Sequence, residues 1–509
     1  MPSQTESEKY LAALCQRSFL SLWSYPNLYT DEGLAKNKGS GRELCDLLVV
    51  FGGNVLIFSD KHIRFKDTGR IDIDWPRWHR QAVMGSFKQL YGAESWLRRY
   101  PERVFLDASC TKRFPLPLPP VDRVKFHRIA VTRGSYDACH QFFGGKSIGS
   151  LRISTDPAAG SAGYFPFTTG IGSPEKPFIH VFDEHTLDIV FEHLDTVSDF
   201  VAYLTKKELF LGSASRTINV DGEEQLLGLY MKNMNWRGEH DLVLAEDIPL
   251  NVDIIVLSEG IWESIANAPQ LKAKKKADRV SYAWDKLIEQ FIQFSHPKTL
   301  GLDIALDPRD MEIALRIMAS ESRLNRRHLA FSFLDARRRS SPTKPYARVS
   351  AASDDTGYVF LAEPQPAAES YEDYRKFRVS RLLAYCKVAV LRLPNAKHIV
   401  GIACDSYDPA RRGGSEDLIH LDVSSRTQEL EEDARQVQQQ FKILLDKNVH
   451  TIHIRGTEYP DSPRAGVRLE QDPSRGFVDG RGNRAAHKKQ KHKKKIQDNS
   501  RRRNRVNKR

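Results

Sequence analysis

The sequence predicts an α/β protein of more than one domain: a mixed sheet flanked by helices at the start, further α/β sections after it, and a disordered basic tail. Three observations carry this. A chain of 509 residues is long enough for two to four domains at roughly 100–200 residues each. Its 40% hydrophobic and 28% charged fractions are those of an ordinary globular chain. Helically spaced stretches alternate with short, nearly continuous apolar runs, the pattern of strands covered on both faces.

Residues 1–135 are expected to form the first unit. Leu11, Leu14, Phe19 and Leu22 are roughly helically spaced and predict a helix over Tyr10–Trp23. Asp46–Phe51 and Val55–Lys61 predict two strands joined across a Gly-Gly-Asn turn. Trp75–Arg99 predicts a long helix with Pro76 in its first turn, where the missing N–H costs least. Strands follow near Arg103–Asp107 and Val124–Thr132, with the Pro-rich connector Phe114–Pro120 between them.

Residues 136–350 read as a mixed α/β section, assigned to recognition of a substrate or partner. It holds a Gly/Ala/Ser-rich loop at Pro157–Gly163, an apolar-acidic stretch through Phe191, Leu194, Phe200 and Leu204, and a strand at Asp253–Leu257. Helices at Arg279–Phe294 and Met311–Ala319 lead to an Arg- and Ser-rich close at Arg337–Pro342. Residues 351–460 read as a second α/β domain with strands Val388–Leu393, Ile399–Ala403 and Leu418–Val423. A helix over Thr427–Leu445 follows, with capping-box spacing at Ser425 and Gln428. No internal repeat is visible.

No run of about 18 apolar residues occurs, so a spanning helix is not expected. Met1–Glu8 is polar and acidic, unlike a signal peptide, and the expected location is cytoplasmic, with nucleoid association an option. The six cysteines are far apart and form no CxxC pair, which predicts reduced thiols and neither a disulfide framework nor a zinc ribbon.

Charge is unevenly placed. From Arg481 to Arg509 fourteen Lys or Arg face Asp498 alone, so the tail carries +13 of a net +12 and the rest of the chain sums to −1. Such a segment buries almost nothing and repels itself, which predicts disorder until a polyanion neutralises it. The simplest counterpart is a phosphate backbone, with Lys488, Lys489, Lys493, Lys494, Lys495, Arg501, Arg502, Arg503 and Arg505 as the binding residues. A solubilising tail or an import signal is the bland alternative.

The chemistry concentrates in residues 41–61, GRELCDLLVVFGGNVLIFSDK. Both runs are apolar along their length, so charges at their outer ends need a reason. Asp46 opens one strand, while Ser59, Asp60 and Lys61 close the next. This pattern resembles the PD-(D/E)xK nuclease superfamily, whose folds are restriction-endonuclease-like, in the N-terminal region only. The resemblance puts Asp46 on the first acid, Lys61 on the lysine, and Ser59 where the family usually has Asp or Glu, a departure. It also implies a contribution from the downstream helix, here Lys88 or Gln89, and Mg²⁺ or Mn²⁺ as cofactor. Cleaving a phosphodiester needs an attacking water and a stabilised leaving oxygen; carboxylates hold the metal against the phosphate, and the lysine serves the water or the developing charge.

Hairpin parity decides whether these residues meet. A two-residue loop, Gly52-Gly53 or Gly53-Asn54, puts Asp46, Ser59 and Lys61 on one face. A three-residue loop pairs Asp46 with Asp60, the reserve metal ligand. Glu43 could supply the charge that Ser59 lacks, but in an unbroken strand it has the opposite parity to Asp46. Glu6 and Glu8 are weaker candidates. In the long helix, Ala82, Ser86, Gln89, Ala93 and Leu97 form the row facing the sheet. An ordinary buried ion pair of Asp46 with Lys61 is the structural alternative.

Other signals are weaker. Gly144-Gly145-Lys146-Ser147 lacks the Walker spacing, with His140 where glycine is needed. His450 and His453 have opposite strand parity and make poor joint ligands. Trp75 and Trp78 suit core packing better than base stacking, and Lys272–Lys276 suits a solvated helix. Together these readings predict a metal-dependent nuclease acting on nucleic acid, DNA more than RNA, with no membrane partner. The alternative is a non-catalytic nucleic-acid-binding protein that keeps a degenerate nuclease fold.

Overall fold

The structure is a computed structural model. It describes residues 5–36, 39–145, 149–172, 175–212, 216–235, 238–244, 252–294, 308–351, 353, 355–366, 370–409, 415–446, 449 and 457–460. The basic tail from Arg481, with its nine named phosphate-binding candidates, lies outside the described residues, as do Lys146, Ser147, His450 and His453. The fold is mixed α/β and divides into two compact units, the first made chiefly of residues 1–300 with 312–330, the second chiefly of 331–458.

The first unit opens with α1 (Glu6–Phe19), β1 (Ser24–Thr30), a one-turn α2 (Glu32–Ala35), β2 (Arg42–Phe51) and β3 (Asn54–His62). Then come α3 (Ile71–His79), α4 (Gly85–Arg99), β4 (Val104–Phe105), β5 (Lys125–Arg133) and α5 (Tyr136–Phe142). β6 (Arg152–Ser154), β7 (Thr168–Gly170), β8 (Ile179–Asp183), α6 (Glu184–His193), α7 (Val197–Gly212), β9 (Thr217–Val220) and α8 (Glu223–Lys232) follow. The chain continues through β10 (Ile254–Leu257), α9 (Ile261–Ala266), α10 (Pro269–Asp278), α11 (Tyr282–Phe294) and α12 (Pro308–Ser320) to α13 (Arg323–Arg339).

A six-stranded mixed sheet in the order β4-β1-β2-β3-β5-β8 carries the unit. β1, β2 and β3 are antiparallel neighbours, whereas β5 and β8 run parallel to β3. The sheet does not close at residue 135, because β8 supplies its edge strand from beyond that point. One face carries Leu48, Val50, Val55 and Ile57, packed with Trp75, Phe87, Leu90 and Ala93 of α3 and α4. On the other face Phe58 meets Phe19 of α1, ring centroids 6.5 Å apart, and Phe19 meets Phe191 and Phe200 of α6 and α7. Trp75 and Trp78 are buried and stacked on one another, so they are core and offer nothing to a base. A second, four-stranded sheet runs β10-β9-β6-β7.

The second unit is a four-stranded mixed sheet of β11 (Tyr346–Ala351), β12 (Thr356–Glu363), β13 (His398–Asp405) and β14 (Glu416–Asp422) in that order. The parallel pair β12 and β13 is joined through α14 (Tyr371–Ala389), and α15 (Gln428–Phe441) follows the last strand. Two expectations are corrected here. Val388–Leu393 is no strand: Val388 and Ala389 finish α14, because an apolar run this short packs as well on a helix end as in a sheet. The cap of α15 is Thr427, whose hydroxyl accepts from the Leu430 N–H at 3.2 Å, and Ser425 takes no part.

All six cysteines are unpaired, five of them buried. Among the described residues no helix is long and apolar enough to cross a membrane.

Candidate functional site

The hairpin register comes from its turn. Phe51 pairs with Asn54 and Leu47 with Phe58, so the loop is Gly52-Gly53, with Gly52 at φ +57 as the first position of a tight hairpin turn requires. Carried on, this register sets Asp46 opposite Ser59, and Asp46, Ser59 and Lys61 share the face covered by α4. The Gly53-Asn54 and three-residue alternatives both fall. Asp60 has the other parity: its carboxylate pairs with Arg133 Nε at 3.0 Å on the α1 face. Only its backbone N–H reaches the site, donating to Asp46 Oδ2 at 2.6 Å.

Glu43 is brought in by an irregularity. Leu28 pairs with Cys45, but Tyr29 pairs with Glu43, so Leu44 is an extra residue on β2, a β-bulge. One inserted residue reverses the alternation. Glu43, three positions before Asp46, therefore falls on the side of Asp46, and its carboxyl is within hydrogen-bonding reach of the Asp46 carboxyl. Asp46 is buried while Glu43 is exposed, so the pair opens outward from the core.

The electrostatics follow. Burial, and next the hydrogen bond with Glu43, push the Asp46 carboxyl up to about 8, against the pull of the Lys61 charge and the Asp60 N–H. Lys61 is half-buried and acts on Asp46 through space, yet no ion pair joins the two. The direct Asp46–Lys61 ion pair is therefore not what holds these residues here.

Gln89 arrives from α4. The helix is longer than its apolar spacing suggests, since it begins at Ile71 and places Pro76 inside α3, beyond the first turn. A π-helical segment, Arg80–Met84, separates α3 from α4. The sheet-facing row survives: Ala82, Ser86, Ala93 and Leu97 are buried and Gln89 is half-buried. Ser59 Oγ donates to Gln89 Oε1 at 2.9 Å, closing the inner wall of the site. Ser86 does not reach it, because its hydroxyl bonds back to the Ala82 carbonyl at 2.8 Å. Lys88 is exposed.

Glu6 and Glu8 line a shallow cleft with Asp60, His62 and Arg64, on the face opposite Asp46. Lys272–Lys276 belongs to α10, where Lys274 is buried against Asp278 at 2.8 Å. The set on the Asp46 face is thus Glu43, Asp46, Ser59, Lys61 and Gln89. Two carboxyls in mutual reach cannot both ionise cheaply, and an all-oxygen donor pair of this kind suits a hard divalent cation such as Mg²⁺ or Mn²⁺. Sequence reasoning missed a second grouping, His127, His180 and Glu208, whose members come from three elements without any short spacing to read. Compared with protein-family models, curated proteins and solved structures, the chain matches none of them.

Proposed function

We propose that the Asp46 face is the active site of a metal-dependent nuclease, related in plan to the PD-(D/E)xK enzymes, that hydrolyses phosphodiester bonds in DNA. The observation that carries this reading is the bulge at Leu44, which sets a second carboxylate beside Asp46 and so offsets the charge that Ser59 lacks. A divalent cation bound by this pair would neutralise the scissile phosphate and activate a water. Asp46 and Glu43 would hold it, Asp46 giving up the proton that burial otherwise keeps on it. Lys61, half-buried and without an ion-pair partner among the described residues, would orient the water and balance charge on the phosphate. Gln89 fixes Ser59 as the floor.

The test is cleavage of supercoiled plasmid, linear duplex, single-stranded DNA and RNA, each with Mg²⁺, Mn²⁺ or chelator. Cutting of DNA only with metal, lost in Asp46→Asn and kept in Asp60→Asn, is expected. One observation favours a second reading. Ser59 is fully buried, neutral, and donates its hydroxyl to Gln89, so the position brings no anionic ligand, as in a nuclease fold retained for binding alone. Binding without cutting under every metal condition supports that reading.

A further inference from the structure

On the sheet face opposite Asp46, and toward the other end of the strands, His127 of β5 and His180 of β8 converge on Glu208 of α7. Parallel pairing sets Ile129 beside His180, so His127, two residues earlier, points to the same side. Glu208 lies one turn after Leu204 on the buried face of α7. Its Oε1 is 3.1 Å from His127 Nδ1 and 3.1 Å from His180 Nε2, and both rings are fully buried. The three donor atoms lie within 4.8 Å of one another.

We infer that His127, His180 and Glu208 form a binding site for a divalent transition-metal cation, zinc by its donor set. Two imidazoles and one carboxylate are a zinc set, and bonds of about 2.0–2.1 Å to a tetrahedral ion put neighbouring donors about 3.3 Å apart. The 3.1 Å separations are within a few tenths of an ångström of that. Hydrogen-bond accounting points the same way. As placed, His127 Nε2 faces Asn54 Oδ1 at 3.2 Å and Nδ1 faces Glu208, two acceptors for the one N–H of a neutral ring. A cation on Nδ1 resolves this and leaves Asn54 as the outer partner that fixes the ring. Turning the Asn54 amide over resolves it too, with Glu208 then accepting from both rings and no metal. His180 Nδ1 has no partner among the described residues, so that ring lacks an outer support. Lys125 Nζ sits 3.0 Å from Glu208 Oε2 and competes with a metal for the carboxylate, but it is 40% exposed and can swing to solvent.

The test uses the full chain in the Asp46→Asn background, so that only this site counts, stripped with chelator and titrated with Zn²⁺. About one zinc per chain is expected, with affinity at least ~10-fold weaker in Glu208→Gln and His180→Gln. Lys125→Met, which removes the competitor without touching a donor, should bind zinc several-fold more tightly, a direction that mere structural damage would not produce. Circular dichroism confirms that each variant is folded. Absence of zinc binding, or binding equal in Glu208→Gln and unchanged in Lys125→Met, overturns the proposal and leaves Glu208 as a hydrogen-bond acceptor alone.

Discussion

Asp46 is held by opposing forces: burial and the neighbouring Glu43 carboxyl favour its neutral form, while Lys61 and the Asp60 N–H favour its charge. The first pair wins, with the carboxyl raised to about 8. An acid whose pKa is higher folded than unfolded keeps its proton in the native state where the unfolded chain has released it. Its stabilising contribution is therefore full below the ordinary carboxylate range and is lost as pH rises toward 8. Asp46→Asn, which stays neutral throughout, should match the parent near pH 3 in chelator, draw ahead as the pH rises, and exceed it by about 3–5 kcal/mol near pH 9. Melting curves across that range read the difference. A variant less stable than the parent at every pH would mean that the charge of Asp46 is a structural requirement.

At the scale of elements, the site depends on how β2 begins. Gly41 precedes the bulge, and its N–H donates to the Ala108 carbonyl at 2.7 Å. A Cβ there would stand 2.6 Å from Cys110 Sγ and 2.8 Å from the Thr30 carbonyl oxygen, so the strand entry must shift to accept one. Gly41→Ala should cost about 1–3 kcal/mol in denaturant unfolding. It should also weaken Mn²⁺ binding by displacing Glu43; unchanged stability and binding would show that the entry is not held tightly. The hairpin, its two-residue loop and the shared face of Asp46, Ser59 and Lys61 were legible in the sequence, because a Gly-Gly turn and an alternation of period two leave few registers. The bulge was not: a single inserted residue has no compositional mark, and by plain parity Glu43 pointed away. β1 was missed because Pro26 and Asn27 break the apolar run that marks a strand, though Leu28 and Thr30 are buried in it. The His127, His180 and Glu208 grouping depends on strand order and on α7, neither of which local spacing reveals.

Over the whole molecule, charge is divided between a chain that sums to −1 and a tail from Arg481 that carries +13. Affinity for a phosphate backbone from such a tail comes with counterion release, and with it a steep dependence on salt. Deleting Arg481–Arg509 should weaken DNA binding broadly across sequences and flatten the plot of log affinity against log salt. A retained slope would assign binding to the folded units instead.

In the proposed site Lys61 would serve chemistry and not stability. Without an ion-pair partner among the described residues, its replacement by Met should shift stability by less than about 1 kcal/mol, while loss of its charge at the phosphate should lower the cleavage rate by about 100-fold or more. The decisive measurement is plasmid cleavage with Mn²⁺ by parent and Lys61→Met protein, with the melting temperature of each sample recorded alongside. Lost cleavage at an unchanged melting temperature is expected; cleavage at the parent rate, or a loss that tracks a collapse in melting temperature, would rule out a chemical role for Lys61.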